Sequence, residues 1–216
     1  MIIVYHVASM GDWQEVVTEQ LNLLVSVGLK DCKLYLTHVG PLSDTEWLLS
    51  SSQANGLFPT LERRDDNVMH YETFAMILIE RLAKLSDEPI MYFHTKGVSA
   101  SWHQGKRMWR KLMEREVISG WRNHLPELEQ DEYDAVGVNW CQWDDPHFSG
   151  NFWIARADWI RKLPDYVAYH HSKSLVRTSC EFWIGSATGI RVKSLACAGH
   201  SMFYDDYDWG QFFTNG

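Results

Sequence analysis

Two short runs, IIVYHVA at 2–8 and PIMYFHTKG at 89–97, are apolar at consecutive positions. Successive side chains of a strand point to opposite faces, so a sheet wetted on one side carries polar residues at every second position. Strands apolar on both faces belong to a sheet covered by helices on both sides, which is the habit of parallel sheets. The intervening segments agree. Asp12 and Glu15 have capping-box spacing ahead of a helix with Val16, Leu23 and Leu24 at helical spacing, ending near Gly28. KLYLTHVG reads as a second strand, and Ser43 with Glu46 opens a short helix. YETFAMILIERLAKL is strongly amphipathic, with Phe74, Ile77, Leu78, Leu82 and Leu85 as its expected buried stripe.

Beyond Gly97 the alternation continues. Ser101 and Gln104 mark a helix start, and Trp109, Met113, Val117 and Trp121 recur every four residues as a core stripe. Lys106, Arg107, Arg110 and Lys111 lie off that stripe and read as a solvated face, with the first turn near Lys96. DAVGVNW is a strand, CQWDDPHFSG a polar loop, NFWIARADWIRKL a strand running into a helix, EFWIG a helix and IRVKSLA a strand. This pattern predicts an α/β, three-layer sandwich with a mostly parallel central sheet. The 216 residues, 45% of them hydrophobic, suffice for one domain over 1–216, with no linker or repeat inside it.

Composition excludes several function classes. A net charge of −8 argues against a nucleic-acid binder, which needs a basic surface, but leaves room for a small phosphorylated ligand held by a local cluster of cations. Cys32, Cys141, Cys180 and Cys197 form no C-x-x-C pair and read as buried thiols. The N-terminal run lacks a basic flank, and no stretch approaches the ~18 apolar residues of a membrane span. The chain reads as soluble and cytoplasmic, of unspecified oligomeric state.

The candidate chemistry begins at YFHTKGVS, where Tyr92, His94 and Lys96 share one strand face and Gly97 permits a sharp turn. Strand tips of this kind border the ligand crevice of α/β proteins. The other reading has Lys96 in an ion pair with Glu72 or another carboxylate and His94 bonded to a backbone carbonyl. In WDDPHFSGNFW, Asp144, Asp145 and His147 offer metal ligands, partners for sugar hydroxyls, or simply a turn. Gly150 permits close backbone approach, and Asn151 both donates and accepts. Among the eleven tryptophans, Trp109, Trp121 and Trp159 read as core, while Trp140, Trp143 and Trp153 flank the polar loop as a platform for a pyranose ring. Glu181 follows Thr178 at capping-box spacing. His200, Asp205, Asp206 and Asp208 gather near the C-terminus and read as a solvated tail.

The succession YFHTKGVS, RMWRKLMEREVISGW, YDAVGVNW, HFSGNFWIARADWIRKLP and EFWIG, spanning Tyr71 to Gly185, resembles a group of predicted glycosyltransferases of the GT-A, nucleotide-diphospho-sugar transferase type. The HTK segment is also similar to that of the rhamnan synthesis F family of polysaccharide-assembly proteins. The resemblance implies a GT-A-like fold with a nucleotide-binding half at 1–100 and an acceptor and sugar half at 101–216. It implies transfer of a sugar from a nucleotide-diphosphate donor to a carbohydrate hydroxyl. His94, Lys96, Gly97 and Arg107 would then hold the diphosphate; Trp143, His147, Gly150, Asn151 and Trp153 would line the sugar side. Glu181, or Asp144 or Asp145, would be the base. GT-A enzymes mostly carry an Asp-x-Asp metal site at the strand tip where this chain has His94 and Lys96, which leaves the divalent metal open. Two alternatives stand beside this reading: a non-catalytic module that binds carbohydrate or nucleotide sugar, and a metal-dependent hydrolase using Asp144, Asp145 and His147.

Overall fold

A computed structural model gives the architecture, and the structure describes residues 1–98, 104–142 and 145–197. Strand β1 (Ile2–Ala8), helix α1 (Trp13–Ser26), β2 (Lys33–Val39), α2 (Leu42–Ala54), β3 (Thr60–Asp65), α3 (Thr73–Leu85) and β4 (Ile90–His94) form the first half. Then come α4 (Gln104–Met113), a π-helical turn at Glu114–Ser119, α5 (Trp121–Glu129), β5 (Ala135–Gly137), β6 (Trp140–Cys141), β7 (His147–Phe148) and β8 (Trp153–Ala155). The last elements are α6 (Ala157–Ile160), α7 (Tyr166–Ser172), α8 (Ser179–Phe182), a 3-10 turn at Trp183–Gly185 and β9 (Val192–Ser194).

Seven strands form one sheet in the order β3-β2-β1-β4-β8-β5-β9, and β6 and β7 pair as a separate small hairpin. The sheet is parallel except for β8, which runs against both β4 and β5. As expected, helices cover both faces. Ile3, Tyr5, Val7, Met91 and Phe93 pack with α1 and the helices from Trp109 to Leu128, while Ile2, Val4, Ile90 and Tyr92 pack with α3, α6, α7 and α8. Strand order reverses between β1 and β4, so the crevice of such a sheet lies beyond their carboxyl ends.

Several expectations are corrected. Strand β3, TLERRD, has no counterpart in the sequence reading; its charged, half-exposed residues suit a sheet edge, where one side is unpaired. On α3 the buried residues are Ala75, Met76, Leu78, Ile79, Leu82 and Ala83, so the core stripe is rotated by about one position and Phe74, Ile77 and Leu85 are left outside it. Neither Asp12 nor Thr178 makes a side-chain cap bond. Among the cysteines only Cys180 is buried. Arg110 is buried, not solvated: it bonds the Lys96 carbonyl at 3.3 Å and pairs with Glu19 and Glu114, both at 3.3 Å. Trp109 and Trp159 are core, as expected, and Trp121 packs on the core's edge.

Candidate functional site

At the switch point, β1 and β4 are latched together. The Thr95 amide donates to the His6 carbonyl at 3.1 Å, and the Ala8 amide donates to the Thr95 hydroxyl at 3.0 Å. Beyond this latch lies a cavity of about 150 Å³ walled by His6, Met10, Tyr71, Glu72, His94 and Gly97, among others. His6 is 2% exposed; its Nδ1 bonds Thr37 Oγ1 at 2.9 Å, and its Nε2 has no partner. Burial lowers the His6 pKa to about 3, so the ring beside this cavity is neutral.

Period-two alternation puts Tyr92 and His94 toward the α3 and α8 layer, Lys96 in the turn beyond β4 reaches the same layer through Glu181, and both carboxylates of the site come from that layer. Glu72 takes the position before α3, where a cap would sit, yet its side chain makes no cap bond. Instead its Oε2 accepts from Tyr92 Oη at 2.8 Å and from Asn151 Nδ2 at 2.7 Å, and its Oε1 stands 3.7 Å from His94 Nδ1. Burial raises the Glu72 carboxyl pKa, but the neighbouring His94 and Lys96 bring it below the usual carboxylate range. His94 donates from Nε2 to the Gly150 carbonyl at 3.1 Å, and burial lowers its pKa, against the pull of Glu72.

Lys96 Nζ lies 3.1 Å from Glu181 Oε1, and the Gly150 amide donates to Glu181 Oε2 at 3.3 Å. Both side chains are largely shielded from water, at 13% and 18% exposure. Burial alone would raise the Glu181 carboxyl; the Lys96 ammonium, the Gly150 N–H and His94 outweigh it and lower the pKa to about 2. Gly150, at φ 88°, thus joins both members of the site through one residue: its carbonyl faces His94 and its amide faces Glu181.

The sequence-predicted residues divide by position. His94 and Gly97 border the cavity, and Lys96 and Glu181 form the ion pair beside His94, with Lys96 carrying Glu181 as partner and not Glu72. Arg107 is exposed and pairs with Glu15 at 3.0 Å. Asn151 and Trp153 are fully buried: the Trp153 indole donates to Asn151 Oδ1 at 2.8 Å, and the Asn151 amide is spent on Glu72 and on the Cys180 carbonyl. They support the wall from behind and present no face to a sugar. Gly150 is buried for packing, since a Cβ there would meet Met113 Sδ and Trp109 Nε1 at 2.6 Å. Asp145 is paired with Lys173, and His147 Nδ1 bonds the Asp145 carbonyl at 2.8 Å, its ring against Phe182 at 4.7 Å. Trp140 packs on Phe148 at 4.7 Å. Trp143, Asp144 and the C-terminal group His200, Asp205, Asp206 and Asp208 lie outside the described residues. Among the described residues, no three or more His, Cys, Asp or Glu side chains stand together as a metal site.

Sequence reading missed His6, Tyr71, Arg110 and Arg177 as parts of this region. His6 had a signal: it is polar in an otherwise apolar strand and pairs in register with His94. The others depend on long-range placement that no local pattern carries.

Residues 4–206 match the model of a family described as a domain of unknown function (DUF8361), and the chain belongs to that family. No curated protein matches the sequence. Among solved structures, S. aureus TarS 1–349 superposes with a TM-score of 0.51 at 10% identity, covering 95% of this chain and 63% of that one. The glycosyltransferase GlyE of Streptococcus pneumoniae TIGR4 gives 0.49 at 14% identity, covering 90% and 45%. The mannosyltransferase PcManGT of Pyrobaculum calidifontis, solved with GDP-Man and Mn2+, gives 0.48 at 12% identity, covering 91% and 56%. The likeness to S. aureus TarS shows a shared fold, and that fold is of the GT-A type. The chain spans less than two thirds of the length of each of the three.

Proposed function

We propose that this protein transfers a sugar from a nucleotide-diphosphate donor to a carbohydrate hydroxyl, in a cytoplasmic step of polysaccharide assembly, as the likeness of its HTK segment to the rhamnan synthesis F family suggests. The observation that carries this reading is the convergence, at the switch point of a GT-A sheet, of an ammonium, a neutral imidazole and a carboxylate around the Gly150 peptide. Residues 1–100 supply the nucleotide side, apart from the segment from the end of β3 to the start of α3, and that segment joins 101–216 on the acceptor side.

In this reading Lys96 compensates the charge that builds on the departing diphosphate, with Gly97 allowing close approach and His94 and His6 as neutral hydrogen-bonding neighbours. Glu181 is the base that takes the proton of the acceptor hydroxyl. At a pKa of about 2 it is a poor base while Lys96 holds it. Donor phosphate that draws Lys96 away removes the main force holding that pKa down, so the base gains strength when the donor is in place. Arg107, tied to Glu15 on the surface, has no part in this arrangement, and Asp145 and His147 belong to the acceptor-side loop.

The test is a thermal-shift series with nucleoside diphosphates and nucleotide sugars, run in chelator and again with manganese. A ligand at about 100 times its Kd adds roughly 2.7 kcal/mol of stability. At least one donor should raise the midpoint, and incubation with donor and acceptor should release nucleoside diphosphate. Binding without release would favour a binding module on the same fold. No shift under any condition would overturn the transferase reading. Lys96→Ala should weaken donor binding by roughly 1.5 to 3 kcal/mol, the size of a hydrogen bond to a charged group.

A further inference from the structure

A second and larger cavity, about 520 Å³, opens beside the first, between the end of β3, the start of α3 and the α7–α8 connection. The two share Tyr71 and Arg177 as walls. Three features set it apart from ordinary surface. Arg63 and Arg177 both line it; each guanidinium lies over an aromatic ring, Arg63 at 4.9 Å from Phe74 and Arg177 at 5.0 Å from Tyr71, and neither pairs with a carboxylate among the described residues. A planar guanidinium held by ring stacking keeps its N–H edge free for a bidentate anion. The carboxylate in the lining, Asp65, is engaged by the Asn67 amide at 2.8 Å and by His70 at 3.4 Å, and it feels the Arg63 charge without forming an ion pair with it.

The second feature is apolar. Of the eight large hydrophobic side chains exposed among the described residues, four line this cavity: Met69, Ile77, Val167 and Leu175. Such clustering marks ligand or partner sites, whereas scattered exposed side chains do not. The rotation of the α3 stripe accounts for two of its wall residues, since Phe74 and Ile77 face this space and not the core. The third feature is backbone strain at the partition. Tyr71 sits at φ 44° and ψ −131°, outside the allowed regions for a bulky residue, and Leu175 on the opposite wall has φ 59°. Strain of this kind gathers at ligand clamps.

We propose that this cavity is the acceptor pocket and that it takes an anionic amphiphile, with a carboxylate or phosphate group on Arg63 and Arg177 and an aryl or alkyl portion against Met69, Ile77, Val167 and Leu175. The acceptor role rests on the transferase reading; recognition of the anion does not. The Tyr71–Arg177 stack is the partition between this ligand and the crevice that holds Glu72 and His94.

Calorimetric titration with four probes tests it: phenyl glucuronide, glucuronate, phenyl glucoside and phenyl phosphate. Phenyl glucuronide or phenyl phosphate should bind at least ten-fold tighter than phenyl glucoside, and phenyl glucuronide at least ten-fold tighter than glucuronate. Whichever phenyl acid binds tighter assigns the anion as carboxylate or phosphate. Arg63→Gln with Arg177→Gln should bring both acids down to the affinity of phenyl glucoside, and Arg63→Lys should recover only part. Equal binding of acidic and neutral probes, or an acid preference that survives the double substitution, overturns the proposal. If the double variant does not fold, the four-probe comparison on the unaltered protein decides alone. Nucleoside-diphosphate thermal shifts of Arg63→Gln should match the unaltered protein. Acid-selective binding in a protein that no nucleoside diphosphate shifts would leave this site standing while the transferase reading falls, and a donor shift with no acid selectivity would do the reverse.

Discussion

At the residue scale the Lys96–Glu181 pair is the feature with the largest energetic stake. Removing one member of a shielded ion pair leaves the other charge without compensation and costs about 3–5 kcal/mol, whereas removing both exchanges two desolvation penalties for apolar contact. Lys96→Met and Glu181→Gln should therefore each lower stability by about 2–4 kcal/mol, the smaller end applying because the Gly150 amide still serves the carboxylate. The double variant should lose less stability than the two single losses added together, with a coupling of at least about 1 kcal/mol in urea denaturation. Additive losses would mean that the two charges do not act as a pair. Glu181→Gln should also reduce turnover about 100-fold or more if Glu181 is the base. The common face of Tyr92 and His94 was legible in the sequence because strand period is two, whereas Lys96 lies in the turn beyond β4, where that period no longer applies. That Lys96 would meet Glu181 was not legible, since the pairing spans 85 positions and follows from where α8 docks.

Among elements, the loop entering β8 is held by Gly150. Its φ of 88° disfavours any side chain, and a Cβ there would come within 2.6 Å of Met113 and Trp109. Gly56 offers a control, because its φ is 71° but nothing lies within 4 Å of the added carbon. Gly56→Ala should cost about 1–2 kcal/mol, the left-handed penalty alone. Gly150→Ala should cost about 1–3 kcal/mol more through overpacking, and should also disturb the ion pair. Equal losses in chemical denaturation would show that the α4 side chains yield freely. Apart from the charged edge strand β3, the strands and helices of the first half were readable because their apolar patterns are long. The stripe of α3 was misplaced by a register because Phe74 and Ile77 are as apolar as Met76 and Ile79, and only the small Ala75 and Ala83 mark the face that packs closely. The burial of Arg110 was hidden for the opposite reason: a basic residue on a helix is normally solvated, and its partners Glu19 and Glu114 and the Lys96 carbonyl become visible only in three dimensions.

For the whole molecule, buried neutral histidines set the acid limit. His6 is lowered to about 3 and His38 to about 4, chiefly by burial, against about 6.5 in an unfolded chain. Between those values the unfolded state binds more protons than the folded one, so stability rises with pH and falls on acidification. Two such groups should remove on the order of 3 kcal/mol between pH 6.5 and pH 5, with His94 acting in the same direction. Glu181 adds its loss only below about 4.5, where an unfolded glutamate begins to protonate. Urea midpoints at pH 7, 6 and 5 check this, and His6→Gln should remove about a third of the slope, one of the three contributing histidines; a flat profile would contradict neutral burial.

The reversed strand gives the molecule two ends with different tolerances. Because β8 runs against β4, its entry lies beside the exit of β4, and the chain brings Gly150 to the tip that carries His94 and Lys96. A parallel strand in that slot would have delivered the same loop to the other edge of the sheet, roughly 10 Å away at about 3.4 Å per residue. The turn before β4, the turn between α5 and β5, and the exit of β8 at Arg156 then all gather at the far end, where surface ion pairs such as Arg161 with Asp87 hold them. Lengthening or tagging the chain at that pole leaves every contact of the ion pair in place, which makes it the natural handle for attaching this domain to a support or to a longer chain.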